Sequence, residues 1–171
     1  MKNCLLVIDM QNDFITGSLY NEEGKKIVSA VKKRIEKAFA ENEDVIFTKD
    51  THKPNYLETR EGKFLPVEHC IKGTKGHDIC DELKPFEKKA KLVLEKETFG
   101  CKDLPPYLSD YDNITIIGLC TDICVISNAL LVHAFYPEKN ITIEKSCCAG
   151  TTIENHNNAL SAMKICHINI A

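Results

Sequence analysis

The residue with the clearest chemical potential is Cys124, in the stretch GLCTDICVISNAL, residues 118 to 130. An apolar run, ITIIGL, precedes the cysteine and a helical pattern, CVISNALLVHAF, begins at it, so Cys124 falls where a strand-to-helix turn becomes a helix. The N–H groups and partial positive charge of a helix N-terminus favour a thiolate, and they also stabilise the oxyanion formed when sulfur attacks a carbonyl. The pattern marks Cys124 as a candidate nucleophile, and a buried structural cysteine is the alternative.

Two further charged residues end apolar runs. Residues 3 to 9, NCLLVID, end in Asp9, and residues 91 to 97, KLVLEKE, place Lys96 on the same face as two leucines. Continuous apolar runs are typical of strands buried in a parallel sheet, and such sheets bind ligands at the carboxyl ends of their strands. We therefore expect Asp9 and Lys96 near Cys124; the alternatives are a turn-forming aspartate and a lysine that extends its charge into solvent.

Several residues of the types that bind metal ions follow a third apolar run, DVIFT, residues 44 to 48. Asp50 and His52 come directly after it, and a loop of about twenty residues, a length typical of functional or disordered segments, leads to His69. The same loop carries Glu58, Glu61 and Glu68. Carboxylates and imidazoles in this order suit zinc, iron or manganese, whereas a solvated polar loop is the alternative.

Composition limits the class of protein. The chain has 171 residues, 43% hydrophobic and 27% charged, which fits a single domain, residues 1–171, with a real core. A formal net charge of -3 gives no sign of nucleic-acid binding, and no apolar run is long enough to cross a bilayer. Nine cysteines without a signal peptide predict reduced thiols in the cytoplasm.

Strand and helix patterns alternate along the chain. Helical patterns cover residues 24 to 40, 78 to 84, 124 to 135 and 151 to 165, and further strands are predicted at 114 to 119, 141 to 146 and 167 to 170. This alternation predicts a three-layer α/β/α sandwich with a mostly parallel sheet of about six strands. No GxGxxG follows the first strand, so a dinucleotide-binding fold lacks its main support.

Five motifs in this order resemble the isochorismatase-like cysteine hydrolases, a family that includes nicotinamidases. The motifs are VIDMQNDF, FTKDTH, LPVEHCIKGTKG, the lysine of LEKETFG, and GLCTDICV. The resemblance implies the isochorismatase-like hydrolase fold and a catalytic triad of Asp9, Lys96 and Cys124. It also implies a cis peptide between Leu119 and Cys120, with the amides of Cys120 and Cys124 forming an oxyanion hole.

The same resemblance implies a metal site and a substrate. The implied ligands of one divalent ion, zinc first with iron or manganese as alternatives, are Asp50, His52, Glu61 and His69. Phe14 matches one aromatic wall of the family's substrate pocket, and Leu65 stands near the position of a tryptophan that this chain lacks. The implied partners are a small amide such as nicotinamide or pyrazinamide, and further copies of the chain in a homo-oligomer.

Two other functions stay open at this point. One is a hydrolase of the same family acting on another small amide or a related substrate, and the other is a non-catalytic flavodoxin-like binding protein. The chemistry also favours a strand order, because a 2-1-3-4-5 sheet would put the strand of Lys96 directly beside that of Asp9. We therefore expect that order rather than 3-2-1-4-5.

Overall fold

The computed structural model describes all of residues 1–171. Six parallel strands form one sheet, flanked by six α-helices. The strands are β1 Asn3–Ile8, β2 Asp44–Asp50, β3 Leu92–Lys96, β4 Asn113–Leu119, β5 Asn140–Ala149 and β6 Asn169–Ile170. The helices are α1 Asn12–Ile15, α2 Glu22–Ala40, α3 Arg60–Phe64, α4 Lys84–Glu87, α5 Ile126–Phe135 and α6 Ile153–Ile165. None of these helices is long and apolar enough to span a membrane.

The centre of the sheet is the core of the molecule. Residues 4 to 8 of β1 are completely buried, as expected for a strand with parallel neighbours on both sides and helices on both faces. Helix α2 covers one face with a buried stripe, Val28, Val31 and Ile35, spaced three and four residues apart. The Asn21 side chain caps this helix by accepting a hydrogen bond from the Gly24 amide.

One predicted helix is wrong. Of the predicted residues 78 to 84 only Lys84 is helical, because Ile79 pairs with Gln11 in an isolated antiparallel bridge instead. The helix begins only at α4, where Pro85 occupies the first turn, a position in which its missing N–H has no cost.

The predicted strand order is also wrong. The sheet runs β3-β2-β1-β4-β5-β6, so β2 lies between the strand of Lys96 and the strand that leads to Asp9. In the register of these strands Lys96 is paired with Asp50 at the end of β2. A lysine has a long, flexible four-carbon stem, and it crosses the intervening strand end to reach Asp9. Adjacent strands are therefore not required to bring the two charges together.

The turn after β4 has an unusual backbone. Gly118 has a φ of 117°, and a Cβ there would lie 2.2 Å from the carbonyl oxygen of Ile8, so β4 approaches β1 in a way that only glycine permits. The Leu119–Cys120 peptide bond is cis, as the resemblance implies. A π-helical turn, Thr121–Val125, then precedes α5, whereas the sequence predicts regular helix from residue 124. Such turns occur frequently at functional sites.

Candidate active site

Asp9, Lys96 and Cys124 meet at the carboxyl ends of the central strands. The Lys96 ammonium lies 2.7 Å from Asp9 Oδ2 and 3.4 Å from Cys124 Sγ. The side chains of Asp9 and Lys96 are each only 1% exposed, and Cys124 is buried beside them. The structure therefore brings together the three residues that the sequence analysis selected, with the lysine between the carboxylate and the sulfur.

The two oxygens of Asp9 have different surroundings. Oδ1 accepts a hydrogen bond of 2.7 Å from the Thr48 hydroxyl. Thr48 belongs to β2, the strand that lies between β1 and β3. Oδ2 is close enough to Lys96 for an ion pair but is not in hydrogen-bond geometry with it or with any other side chain. Oδ2 is thus the oxygen that can accept a proton. Thr48 was not selected from the sequence, because its role appears only once the strand order is known.

Protonation of the cluster follows from burial and the fixed charges. Burial raises the pKa of Asp9, and Lys96 opposes this effect. Burial acts to lower the pKa of Lys96, but Asp9, Cys124 and Asp50 together raise it well above its ordinary value. Burial and the Asp9 carboxylate raise the pKa of Cys124 although Lys96 acts to lower it. Burial and the neighbouring carboxylate therefore favour the neutral thiol of Cys124 over the thiolate expected from the helix terminus.

Asn128 fixes the backbone around Cys124. Its amide nitrogen donates to the carbonyl oxygens of Cys124 (2.7 Å) and Phe99 (3.1 Å), and its amide oxygen accepts from the Cys101 N–H (2.8 Å). This fully buried side chain ties the turn of Cys124 to the loop that follows Lys96. Sequence reasoning missed Asn128, although a polar residue four positions after Cys124 on an apolar helix was an available signal.

The backbone amide of Cys120 is free for another acceptor. Its N–H donates no backbone hydrogen bond, while its carbonyl oxygen accepts from Ile123 and Val125, each at 3.0 Å. The cis peptide precedes this amide and the π-helical turn follows it, so it belongs to the same turn as Cys124.

Asp50, His52 and His69 form a compact group next to this cluster. One potential ligand atom from each lies within 4.8 Å of the other two, and all three residues are buried. Asp50 Oδ2 is 2.9 Å from His52 Nε2 and 3.4 Å from His69 Nε2. Glu61 Oε1 lies 3.7 Å and 3.8 Å from the same two nitrogens, so it stands at the edge of the group. Burial acts to raise the pKa of Asp50, but the hydrogen bonds with the two histidines hold it well below its usual range.

Supporting contacts orient this group for a cation. His69 Nδ1 lies 2.8 Å from the Val67 carbonyl oxygen, which can only accept, so Nδ1 carries a hydrogen and Nε2 is the ring nitrogen directed at Asp50. Gln11 holds the backbone of Asp50 on both sides, accepting from its N–H at 2.7 Å and donating to its carbonyl oxygen at 2.8 Å. Asp13 accepts from the Cys70 amide at 2.7 Å, directly after His69. Three donors of the right types around one point fit a divalent ion.

A cavity of about 660 Å³ opens beside His52 and Glu61. Phe64 and Phe99 are its two apolar lining residues. Leu65 is not among the lining residues; its side chain is 38% exposed and its carbonyl oxygen accepts a hydrogen bond from the Tyr56 hydroxyl. Phe14 does not line this cavity either, but its ring centroid lies 5.9 Å from that of His69. The aromatic surface in the cavity therefore comes from residues that the sequence analysis did not select.

Comparison with known proteins agrees with the fold. The family model of the isochorismatase domain matches residues 3–170. PncA of Bacillus subtilis (strain 168), described as an uncharacterized isochorismatase family protein, is 31% identical over 174 residues, covering 94% of this chain and 93% of PncA. The pyrazinamidase/nicotinamidase of Streptococcus mutans UA159 has a TM-score of 0.89 at 27% identity, covering 99% of this chain and 100% of that one. The pyrazinamidase of Pyrococcus horikoshii, solved in complex with zinc, has a TM-score of 0.83 at 26% identity, covering 100% and 99%.

The fold and these matches define the class of protein as a hydrolase of the parallel α/β type. The chain belongs to the isochorismatase family. The family resemblance and the isochorismatase-like fold predicted from the sequence are thereby confirmed. The non-catalytic flavodoxin-like alternative gives no reason for a lysine to contact two carboxylates and a cysteine in a buried site.

Proposed function

We propose that this chain hydrolyses nicotinamide, or a similar small amide such as pyrazinamide, to the acid and ammonia through a thioester on Cys124. The observation that carries the proposal is the buried Lys96 ammonium, which contacts Asp9 Oδ2 and Cys124 Sγ at once. This arrangement pairs a nucleophile with a base and with a cation that balances their charges. The names of the related pyrazinamidases and nicotinamidase support the choice of substrate.

Acylation begins from the neutral thiol. Asp9 Oδ2 accepts the thiol proton as the Cys124 sulfur bonds to the amide carbon, and Lys96 stabilises the developing thiolate. The N–H groups of Cys120 and Cys124 donate to the oxyanion of the tetrahedral intermediate. As this intermediate collapses, the C–N bond breaks, the proton on Asp9 passes to the departing nitrogen, and ammonia leaves a thioester.

Deacylation returns the site to its starting state. A water molecule attacks the thioester carbon while Asp9 accepts its proton, and the same two amides hold the second oxyanion. The C–S bond then breaks, the carboxylic acid leaves, and the proton on Asp9 returns to the Cys124 sulfur. Asp9 must be ionised at the start of both halves, which is the reason that Lys96 must offset the burial that raises its pKa.

We also propose that Asp50, His52 and His69, with Glu61 as a fourth ligand, hold one divalent metal ion. The donor set suits zinc, and iron or manganese take the same ligands. When bound, the ion supplies a positive charge that orients a polar atom of the substrate. The zinc complex of the related Pyrococcus horikoshii pyrazinamidase supports this assignment.

Metal content tests the ligand set. Purified protein should contain about one zinc, iron or manganese ion per chain, because the three buried ligand atoms surround one point. His52→Ala should lose the metal, while His133→Ala, a substitution on α5 outside the group, should keep it. Elemental analysis after dialysis measures this, and equal metal content in the two variants would contradict the site. If Glu61→Ala binds metal as tightly as the parent, Glu61 is not a ligand.

Ammonia release is the test of the reaction. We expect the purified protein to release ammonia from nicotinamide and pyrazinamide, and a strong chelator to suppress the release. A panel of other small amides tests the second candidate function, a family member with a different amide substrate. The large cavity and the absence of tryptophan favour that alternative. Faster turnover of a non-pyridine amide would establish it, and no ammonia from any amide would refute both.

The setting of the enzyme follows from its thiols and its surface. We infer a reduced, cytoplasmic environment, because all nine cysteines are free and eight of them are at least partly buried. We also infer a homo-oligomer, supported by large apolar side chains exposed on two helices that contact each other, α5 and α6. These side chains are Leu130, Phe135, Ile153 and Ile165.

A further inference from the structure

The cavity beside the metal-ligand group extends well beyond a single ring. It has a volume of about 660 Å³, and a neighbouring cavity of about 370 Å³ shares five of its lining residues and reaches Lys96. The shared residues are Thr51, His52, Lys53, Glu97 and Thr98. The two cavities thus adjoin each other and extend from Lys96 to α3. Volumes of this size are typical of sites for drug-sized ligands, so these cavities have room for more than a pyridine carboxamide.

The larger of the two cavities is called the outer cavity here. The charges that line it are paired, with one exception. The Lys53 ammonium lies 3.1 Å from Glu97, and the Glu61 carboxylate faces His52 and His69. Arg60 has no acidic partner. Its guanidinium instead lies over the ring of Phe64, 5.2 Å from the ring centroid. Stacking of this kind holds the guanidinium plane while leaving its N–H edges available for an anion.

Arg60 stands beside exposed aromatic surface. The side chains of Phe64 and Phe99 are 78% and 46% exposed, although both are large and apolar. They are the only hydrophobic residues that line the outer cavity. An unpaired guanidinium beside two uncovered rings is suited to a ligand with an apolar body and a negatively charged end.

We propose that the outer cavity is a subsite for a carboxylate or phosphate group carried by the amide substrate, and that Arg60 determines this specificity. The inference rests on the proposed function, since it assigns a substrate class to the same active site. The substrate's amide lies at Cys124, its apolar part rests against Phe64 and Phe99, and its anionic group binds the Arg60 guanidinium. The substrate class is therefore amides with an anion remote from the scissile bond.

The effect should be visible as selectivity. A charge-assisted hydrogen bond is stronger than a neutral one but is weakened by exposure to solvent, so an anionic substrate should be favoured roughly tenfold. The probes are nicotinamides extended at ring carbon 5 or 6 by a short chain that ends in carboxylate, phosphate or a neutral hydroxyl. For at least one anionic probe, the parent protein should show a kcat/KM roughly tenfold above that for the matching hydroxyl probe. Comparison of the carboxylate and phosphate probes shows which anion is preferred.

Three variants identify the residue responsible. Arg60→Gln should reduce the anion-to-hydroxyl ratio of kcat/KM to about one, and Arg60→Lys should keep part of it because the charge remains. Lys53→Gln removes a positive charge from the same cavity but from a residue paired with Glu97, so it should leave the ratio high. A parent ratio near one, or an equal fall in Arg60→Gln and Lys53→Gln, would overturn the proposal.

Binding separates this proposal from the proposed reaction. In a Cys124→Ala background no turnover is needed, and calorimetry compares the Kd values of the carboxylate, phosphate and hydroxyl probes directly. An anionic probe should bind Cys124→Ala more tightly than the hydroxyl probe does, and this preference should disappear in Cys124→Ala/Arg60→Gln. That result would support the subsite even if nicotinamide released no ammonia. No such preference in a protein that hydrolyses nicotinamide would refute the subsite and leave the reaction standing.

Discussion

Cys124→Ala should abolish ammonia release, because the sulfur forms the bond to the amide carbon and no other group in the cluster can replace it. Loss of the nucleophile in a catalytic triad lowers kcat by roughly a ten-thousandfold or more, leaving only the contribution of binding and the oxyanion hole. The fold should survive, since an alanine methyl still occupies the buried turn. Steady-state kinetics together with near-ultraviolet circular dichroism measures both quantities.

Cys120→Ala is the matched control for this substitution. Cys120 lies in the same turn, but its proposed role uses the backbone amide, which alanine keeps. Its sulfur makes only a long contact of 3.8 Å with the Asn21 side chain. We expect substantial activity from Cys120→Ala. An inactive Cys120→Ala protein together with an active Cys124→Ala protein would show that Cys124 is not the nucleophile.

Lys96→Met and Asp9→Asn should both cut turnover while moving the reactivity of Cys124 in opposite directions. Each variant removes a positioned acid–base or charge-stabilising group, so activity should fall roughly a hundredfold or more. Lys96 acts to lower the pKa of Cys124, and the Asp9 carboxylate raises it. At a fixed pH below that pKa, Lys96→Met should therefore slow alkylation of Cys124, and Asp9→Asn should accelerate it.

Iodoacetamide labelling across pH, followed by peptide mapping, measures this reactivity in folded protein. Lys49→Met is a matched control, because Lys49 is also a buried strand lysine but pairs with Glu87 outside the site. That variant should keep the alkylation profile of the parent. If Lys96 merely extended its charge into solvent, Lys96→Met would show near-normal turnover and an unchanged profile. Alkylation that slows in Asp9→Asn would contradict the ion-pair assignment.

The reactive residues were predictable because their chemistry and position agree within short stretches of sequence. Asp9 and Lys96 each end an apolar run, and Cys124 begins a helix after another, so a parallel sheet must bring all three to one edge. Local pattern put Asp50, His52 and His69 among six candidate metal ligands, and only the family resemblance set Glu58 and Glu68 aside. The structure gathers the aspartate and the two histidines within 4.8 Å. For Asp9, Lys96 and Cys124, local pattern and strand direction carry the needed information.

The strand order was not predictable by the same reasoning. The wrong order followed from assuming that Asp9 and Lys96 must come from adjacent strands, whereas the reach of a lysine side chain makes adjacency unnecessary. That error concealed Thr48, whose strand lies between them and whose hydroxyl donates to Asp9. Gln11 escaped notice for a related reason, since its partner Asp50 is distant in sequence and only the fold joins them.

The ionisation of Cys124 shows a different limit. Sequence places the cysteine at a helix N-terminus, which by itself favours the thiolate. The structure adds burial and a carboxylate neighbour, and these raise the pKa of Cys124 by more than Lys96 lowers it. Competing contributions of this kind depend on burial and distance, which a motif does not contain. The consequence is mechanistic, because a neutral thiol needs a base, and that is the role proposed for Asp9.

The most direct test of the account is to detect the thioester. Enzyme in excess over nicotinamide is quenched in acid during a single turnover, and its peptides are analysed by mass spectrometry. Parallel turnover reactions contain hydroxylamine. We predict a nicotinoyl group on the peptide that contains Cys124, its removal by hydroxylamine, and formation of the hydroxamate at the expense of nicotinic acid. Ammonia release with no acyl group on Cys124 and no hydroxamate would contradict covalent catalysis by this cysteine.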